Sequence, residues 1–580
     1  MEMAGPTAPK DPEKARPFFY ILKDKDIFGE RQKDGTGIQF IYESDGRLIN
    51  SAQITGNVTD KEELRLLETV EGFGRLVHSI GVSVETDRPE ETAEFVFQMY
   101  GKKDLYGGGT NLTTSLKCDG MEHRIYLSDY RWTEDDHVPG QIKILFAAPE
   151  RMGKVSVRLF LNDGYEAPPE EEDLVIDMHS EEYCGMISRS LLQLGNPYRI
   201  RKAIEKSKAG KEVTLAYIGG SITQGAGAIP IHTECYAYKS FQLFQNRFST
   251  QNNVRFIKAG VGGTPSELGM IRFDRDVLRE GERPDIVVIE FAVNDEGDET
   301  KGVCYESLVR KVLKLPWKPA VVLLFSVFAN DWNLQERLRP VGDLYDLPMV
   351  SIRDAVTPQF SLKCGEGRIL SKNQFFYDIF HPNNTGHTIM ADCLQYLFEL
   401  CDAAEPARVG TFVEGMTEEQ ILSEKLSGPA VIGADFERIF LLDKKNRYVG
   451  AKIRAGGFAS TDMELQSVEM DGNLTQTPEF PYNWMYDGSR PQMAGFEMEI
   501  ICKSLFLIFK DSGETDVGKA NVFVNDVYCM TADPHKNNWL HCNAVLLFWE
   551  TESGSHKVRI AVTEEDRNKK FTILGFGYTI

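Results

Sequence analysis

The chain has 580 residues, of which 42% are hydrophobic and 26% charged, and its formal net charge is -22. That length exceeds what one core holds, so several globular domains are expected. The negative charge repels phosphate backbones and anionic lipid surfaces, which argues against nucleic acid or a membrane as partners.

The first fifteen or so residues, starting "MEMAGPTAPKDPEK", form a polar tail without the apolar stretch of a secretory signal. No later window has the roughly 18 uninterrupted apolar residues of a membrane span. Ten cysteines are scattered between Cys118 and Cys542 with no C-x-x-C pair, the usage of reduced thiols in a cytoplasmic protein. From Phe18 to Asn162 short runs alternate apolar and polar residues, among them "IQFIYES", "EFVFQMYG", "QIKILFAAP" and "KVSVRLFLND", with turn residues between them. This predicts an antiparallel β-sandwich. Proline and acid then come together in "EAPPEEED", residues 166–173, which reads as a linker, and the first domain is set at residues 1–190.

After Leu191 the pattern changes. Wholly apolar runs ("VTLAYI", "VRFIKAG", "DIVVIEFAV", "AVVLLFSVF", "LPMVSI") alternate with amphipathic stretches such as "ECYAYKSFQLFQNRF" and "TGHTIMADCLQYLFELC". Buried strands alternating with helices predict an α/β domain, residues 191–403, with a parallel sheet covered on both faces. From residue 404 to 580 the strand pattern returns, in "FEMEIICKSLFLIFK", "KANVFVNDVYC" and "FTILGFGYTI" among others. A second β-sandwich, jelly-roll-like, is expected there. Carbohydrate binding is one role such a module would serve.

Chemistry concentrates at strand ends. In "VTLAYIGGSITQGAGA", residues 213–228, the first central strand stops at two glycines and presents Ser221. Ligands of an open parallel sheet bind outside the carboxyl ends of its strands, and glycines keep side chains clear of the hydroxyl. No lysine follows as a Walker loop requires, and "GAGAIP" lacks the last glycine of a dinucleotide loop. What stays open is a nucleophile or a plain turn whose serine caps a helix. A nucleophilic serine needs a base, and "YDIFHPNNTGH" offers Asp378 and His381, three residues apart. One turn can bring that carboxylate to the imidazole, which would take the serine proton and return it to the leaving group. An oxyanion hole needs donors. Candidates are the N–H of Ser221, the N–H of Gly263 in "KAGVGGTPSE" and the side-chain amide of Asn294 in "FAVNDEG". His387 stands six residues after His381 with no H-E-x-x-H pattern or acid cluster, so no metal is expected. No cofactor is implied either.

Gly-Gly-Ser221, Gly263, Asn294 and Asp378-x-x-His381-Pro382, in that order, resemble the four sequence blocks of the SGNH, or GDSL-like, hydrolases. The resemblance covers residues 195–402. It implies a flavodoxin-like three-layer fold, Ser221 as nucleophile, His381 as base and Asp378 as its orienting acid. Ser221, Gly263 and Asn294 would form the oxyanion hole. One position departs: Gly220 stands where the family has the aspartate of G-D-S, a variant associated with carbohydrate-active bacterial members.

There is no long apolar loop to hold a fatty chain. The C-terminal run around "NNWLHCNAVLLFWE" looks like β modules joined to carbohydrate esterases. The reading is therefore an O-acetyl esterase acting on acetylated oligosaccharides, with Asp295, Trp332 and Trp539 as candidate substrate contacts. A general short-chain or lysophospholipid esterase is the rival within the enzyme class. A carbohydrate-binding protein with an inactive hydrolase core is the rival outside it. A homo-oligomer stays open. The flanking β domains are expected to shape the cleft and to have no part in the chemical step.

Overall fold

The computed structural model describes residues 14–42, 47–103, 107–170, 172–404, 416–472, 475–489 and 495–580. Nearly all of the expected polar tail, and residues 405–415 just past the boundary expected at 403, lie outside the described residues.

The first unit has two antiparallel sheets. Strands Phe18–Phe28, Val77–Thr86, His123–Tyr126 and Met152–Leu161 form one; Glu30–Arg31, Gly37–Tyr42, Thr92–Gly101, Asn111–Lys117 and Asp136–Phe146 form the other. Both send side chains such as Phe95, Ile142, Val155 and Leu159 into one core. Three short helices that the β pattern does not contain, Arg47–Thr55, Lys61–Leu66 and Val70–Leu76, sit in the same unit. Asp60 and Thr69 start the last two by accepting backbone N–H groups at their N-termini.

The central sheet has six strands: β1 (Leu191–Gln193), β2 (Val213–Gly219), β3 (Val254–Gly260), β4 (Ile286–Glu290), β5 (Ala320–Phe325) and β6 (Met349–Ser351). Their spatial order is β1-β6-β5-β4-β2-β3. β2 to β6 pair in parallel. β1 pairs antiparallel with β6, an edge strand that the expected all-parallel sheet did not include; three residues are too few to show a period. Every residue of β2, β4 and β5 is buried, because helices cover both faces. Helices α1 (Tyr198–Lys208), α2 (Tyr236–Phe248), α6 (Ile352–Phe360) and α7 (Asn384–Ala403) supply one core. Helices α3 (Ser266–Phe273), α4 (Val303–Leu313) and α5 (Gln335–Tyr345) supply the other. The chain goes from β2 out to β3 and then returns past β2 to β4. This reversal leaves a crevice at the carboxyl ends of β2, β3 and β4.

The C-terminal strands, expected as a second sandwich, are joined in one eight-stranded ladder beside a separate two-stranded ribbon. Its two longest strands, Phe496–Asp511 and His541–Val562, are paired with irregularities near Cys502 and Leu505 that let them change direction. Leu465, Phe480, Phe506 and Leu574 of this unit enter the core formed by α3, α4 and α5, so the two units share buried surface. Among the described residues, no helix is long and apolar enough to cross a membrane. All ten cysteines are free thiols, with Cys184 and Cys529 exposed.

Candidate active site

β2 ends in Gly219, and Ser221 opens a single helical turn, Ser221–Gln224, closed by Gly225 at φ 109°. Both glycines before the serine are required by close approach. A β carbon on Gly219 would lie 2.2 Å from Thr223 Oγ1, and one on Gly220 would lie 2.2 Å from Asn294 Oδ1. Beneath the turn, Thr223 donates to the fully buried Glu290 at the end of β4 (3.1 Å). Burial pushes that carboxyl up to about 7. The buried guanidinium of Arg272 donates to the carbonyls of Gly219 (2.8 Å) and Ala259 (2.7 Å) and pairs with Asp276. It ties the ends of β2 and β3 together.

The opposite wall is the loop before α7. Tyr377 N–H donates to His381 O (2.8 Å) and Asn383 N–H to Phe375 O (2.8 Å), which closes the loop tightly. Asp378 Oδ1 accepts the N–H groups of Phe380 (2.8 Å) and His381 (2.9 Å). The same carboxylate meets His381 Nδ1 at 2.9 Å through Oδ2. An ionised carboxylate only accepts, so Nδ1 carries the proton and Nε2 is free to accept. Nε2 lies 3.0 Å from Ser221 Oγ. Serine, imidazole and carboxylate, 160 residues apart at their extremes, thus form one hydrogen-bonded line.

The three candidate oxyanion donors lie around Ser221. Asn294 packs its amide on Gly220, and among the described residues its buried Oδ1 has no partner. Gly263, at φ 71°, follows Gly262, where a β carbon would be 3.8 Å from Ser221 Cβ. Among the described residues no acceptor takes the N–H of Gly263 or of Ser221.

Asp295 does not belong to the cleft surface, contrary to its candidacy as a substrate contact. It is fully buried, its Oδ1 accepts the Ser266 N–H (2.7 Å), and burial pushes its carboxyl up to about 8. Its work is to hold the start of α3. Trp332 stacks on Phe328 at 5.8 Å, Phe328 meets the exposed Phe380 edge-on at 5.1 Å, and Phe380 borders His381. Trp332 therefore reaches the site through two phenylalanines. Trp539 comes much nearer: a β carbon on Gly263 would lie 2.7 Å from its ring. It is 44% exposed, so a face remains open to solvent. His387 is fully buried, accepts the Tyr236 N–H at Nδ1 (3.1 Å) and donates from Nε2 to Ala226 O (3.1 Å). Burial holds it down to about 3, a neutral structural ring. Among the described residues no group of three His, Cys, Asp or Glu could hold a metal ion.

Arg272 and Gln224 are among the contributors that were not read from the sequence. Arg272 carried a signal, the one cation in the fully buried helix "SELGMIRF". Gln224, whose Oε1 accepts the Gly262 N–H (2.8 Å), carried none.

Residues 217–389 match the family model described as GDSL-like Lipase/Acylhydrolase family. Among solved structures, the chain resembles a two-domain esterase (CEX) active on acetylated mannans: 23% identity, TM-score 0.55, 68% of this chain and 98% of that one. Axe2, an acetylxylan esterase from Geobacillus stearothermophilus, aligns at 18% identity and TM-score 0.26 over 33% of this chain and 96% of its own. No curated protein matches the chain.

Proposed function

We propose, from the premise that residues 217–389 are an SGNH hydrolase unit of the GDSL type, that this protein is a serine esterase removing O-acetyl groups from acetylated oligosaccharides. The observation that carries the reading is the 3.0 Å contact between Ser221 Oγ and His381 Nε2, with Asp378 behind the ring. In this reading His381 takes the Ser221 proton as Oγ attacks the acetyl carbonyl. Negative charge then develops on the carbonyl oxygen, facing the N–H groups of Ser221 and Gly263 and the Asn294 amide. Collapse expels the sugar hydroxyl, which receives the proton from His381. Water, activated by the same ring, releases acetate from the acyl-enzyme. Asp378 stays ionised and stabilises the imidazolium throughout.

A sugar alcohol is favoured over a fatty chain because aromatic rings flank the line on both sides, Trp539 at Gly263 and Phe380 at His381. Such faces suit the apolar faces of pyranose rings. The structural relative that acts on acetylated mannans puts acetylated mannan oligosaccharides first in a substrate panel. We take the N-terminal pair of sheets as a β-sandwich and the C-terminal unit as a jelly-roll-like module, with domains at 1–190, 191–403 and 404–580. Ten unpaired cysteines suit a cytoplasmic setting after oligosaccharide uptake.

The test is acetate release from a panel of acetylated glycans, with NMR locating the position cleaved. Ser221→Ala and His381→Ala are expected to lower kcat on p-nitrophenyl acetate by about 10³-fold or more while unfolding as the wild type does. Wild-type turnover in Ser221→Ala would refute the assignment.

A further inference from the structure

The turn that carries Gly263 is held from outside the hydrolase unit. Gln466 Nε2 donates to Gly262 O (2.9 Å), and His541 Nε2 donates to Gly263 O (3.0 Å). Both residues come from the C-terminal unit, and both are nearly buried, at 7% and 6% exposure. Each is itself fixed. Gln466 Oε1 accepts the Cys542 N–H (2.9 Å). His541 Nδ1 meets the fully buried Asp511 at 2.9 Å, and Asn537 donates to the same carboxylate oxygen (2.6 Å). The His541 ring lies between the Asp511 carboxylate and the Gly263 carbonyl, and because a carbonyl only accepts, Nε2 is the donor to Gly263.

We infer that Gln466 and the Asp511–His541 pair are positioning residues of the oxyanion hole, so that the C-terminal unit completes it. The inference rests on the esterase reading above. Its physical basis lies in one peptide plane. Gly262 C=O and Gly263 N–H belong to the same trans peptide and point in opposite directions. A donor on the carbonyl therefore fixes where the N–H points. Fixing is needed here, because a Gly-Gly peptide has no β carbon to resist rotation, and a rotated peptide would aim its carbonyl at the developing negative charge. The bond to Gly262 O also polarises the N–H on the far side of the plane. His541 holds the next carbonyl, so the turn is pinned on both sides of Gly263. The remaining groups are engaged as well: Val261 N–H donates to Gly219 O (3.2 Å), Thr264 Oγ1 to Val261 O (2.7 Å) and Gly262 N–H to Gln224 (2.8 Å). From Val261 to Gly263, the Gly263 N–H alone lacks a partner among the described residues.

The expectation that the flanking β domains take no part in the chemical step is revised accordingly. Three informative variants of the full chain are Gln466→Glu, His541→Ala and His541→Gln. Gln466→Glu keeps the side-chain shape and an acceptor for Cys542 but sets a carboxylate against Gly262 O. His541→Gln places an amide donor where Nε2 was. The expected result on p-nitrophenyl acetate, an ester too small to touch the β unit as a sugar would, is a kcat lowered about 10-fold or more in Gln466→Glu and His541→Ala. KM should stay within about 2-fold, and His541→Gln should recover most of kcat. A crystal structure of Gln466→Glu should show the 262–263 peptide rotated or in two orientations. Unchanged kcat in both folded variants, a loss confined to KM, no recovery in His541→Gln, or an unmoved peptide would each overturn the inference. Should His541→Ala fail to fold, Gln466→Glu and its structure decide alone. An inactive wild type would refute the esterase reading and leave the peptide geometry to judge the positioning.

Discussion

Gly220 is the residue at which this chain departs from the G-D-S pattern, and its surroundings show what the glycine does here. A β carbon would sit 2.2 Å from Oδ1 and 2.6 Å from Nδ2 of Asn294, so any side chain displaces the amide proposed as an oxyanion donor. Removing one such donor typically costs about 10²–10³-fold in kcat. Asn294→Ala is therefore expected to lower kcat by that factor and to leave KM nearly unchanged. A change in KM alone would make Asn294 a binding residue. Gly220→Ala should also lower kcat, by about 10-fold or more, because it moves the same amide. The effects should not add: Gly220→Ala/Asn294→Ala should be no slower than Asn294→Ala, since residues acting through one contact are coupled. Additive losses would show that Gly220 acts by another route.

At the scale of elements, the ends of strands and helices around the site bury titratable groups that oppose one another in pH. Glu267 in α3 and Glu290 at the end of β4 are pushed up to about 7, and Asp295 after β4 to about 8, all chiefly by burial. These groups bind more protons folded than unfolded between their ordinary values and the raised ones. Stability tied to them is complete below about pH 4 and is lost as pH rises toward 7–8. His387 in α7 has the opposite sense. Held down to about 3, it contributes stability that is complete above 6.5 and lost as pH falls toward 3. Glu290→Gln should therefore flatten the fall in Tm between pH 5 and 8. The shift from 4.5 to about 7 corresponds to about 3 kcal/mol at most, a few degrees in Tm. Parallel Tm curves for wild type and variant across that range would show that Glu290 stays unionised, or paired, throughout.

In the whole molecule both flanking units reach the loops that carry the site. The buried Lys25 of the N-terminal unit donates to Phe376 O, in the loop that holds Asp378 and His381. On the other side Trp539 covers Gly263 and packs on His541 at 4.6 Å. Its exposed face is where a sugar ring would lie, and a ring-face contact contributes roughly 0.5–1.5 kcal/mol. Trp539→Ala should then lower kcat/KM on an acetylated oligosaccharide up to about 10-fold more than on p-nitrophenyl acetate. Equal losses on the two substrates would make the ring a brace for Gly263 and His541 only, and would remove the main support for a sugar substrate.

What could be read in the sequence was local. Apolar runs ending in Gly-Gly-Ser221, Gly262-Gly263 and Asn294 reveal strand ends at the crevice, because strand burial and turn chemistry are written within a few residues. Asp378 and His381 are legible as a pair for the same reason: three residues of a single turn bring them to 2.9 Å. The tertiary structure alone decided the rest. It hid Asp295, added the antiparallel edge strand β1, and brought Gln466 and His541 from more than 200 residues away onto Gly262 and Gly263. A hydrogen bond to a backbone carbonyl demands only a donor at the right point in space. Many side chains meet that demand, so no periodicity or spacing announces which one does. That choice is made where the C-terminal unit buries its apolar face on α3 and α4, and chain folding, not local pattern, determines which loops then face each other.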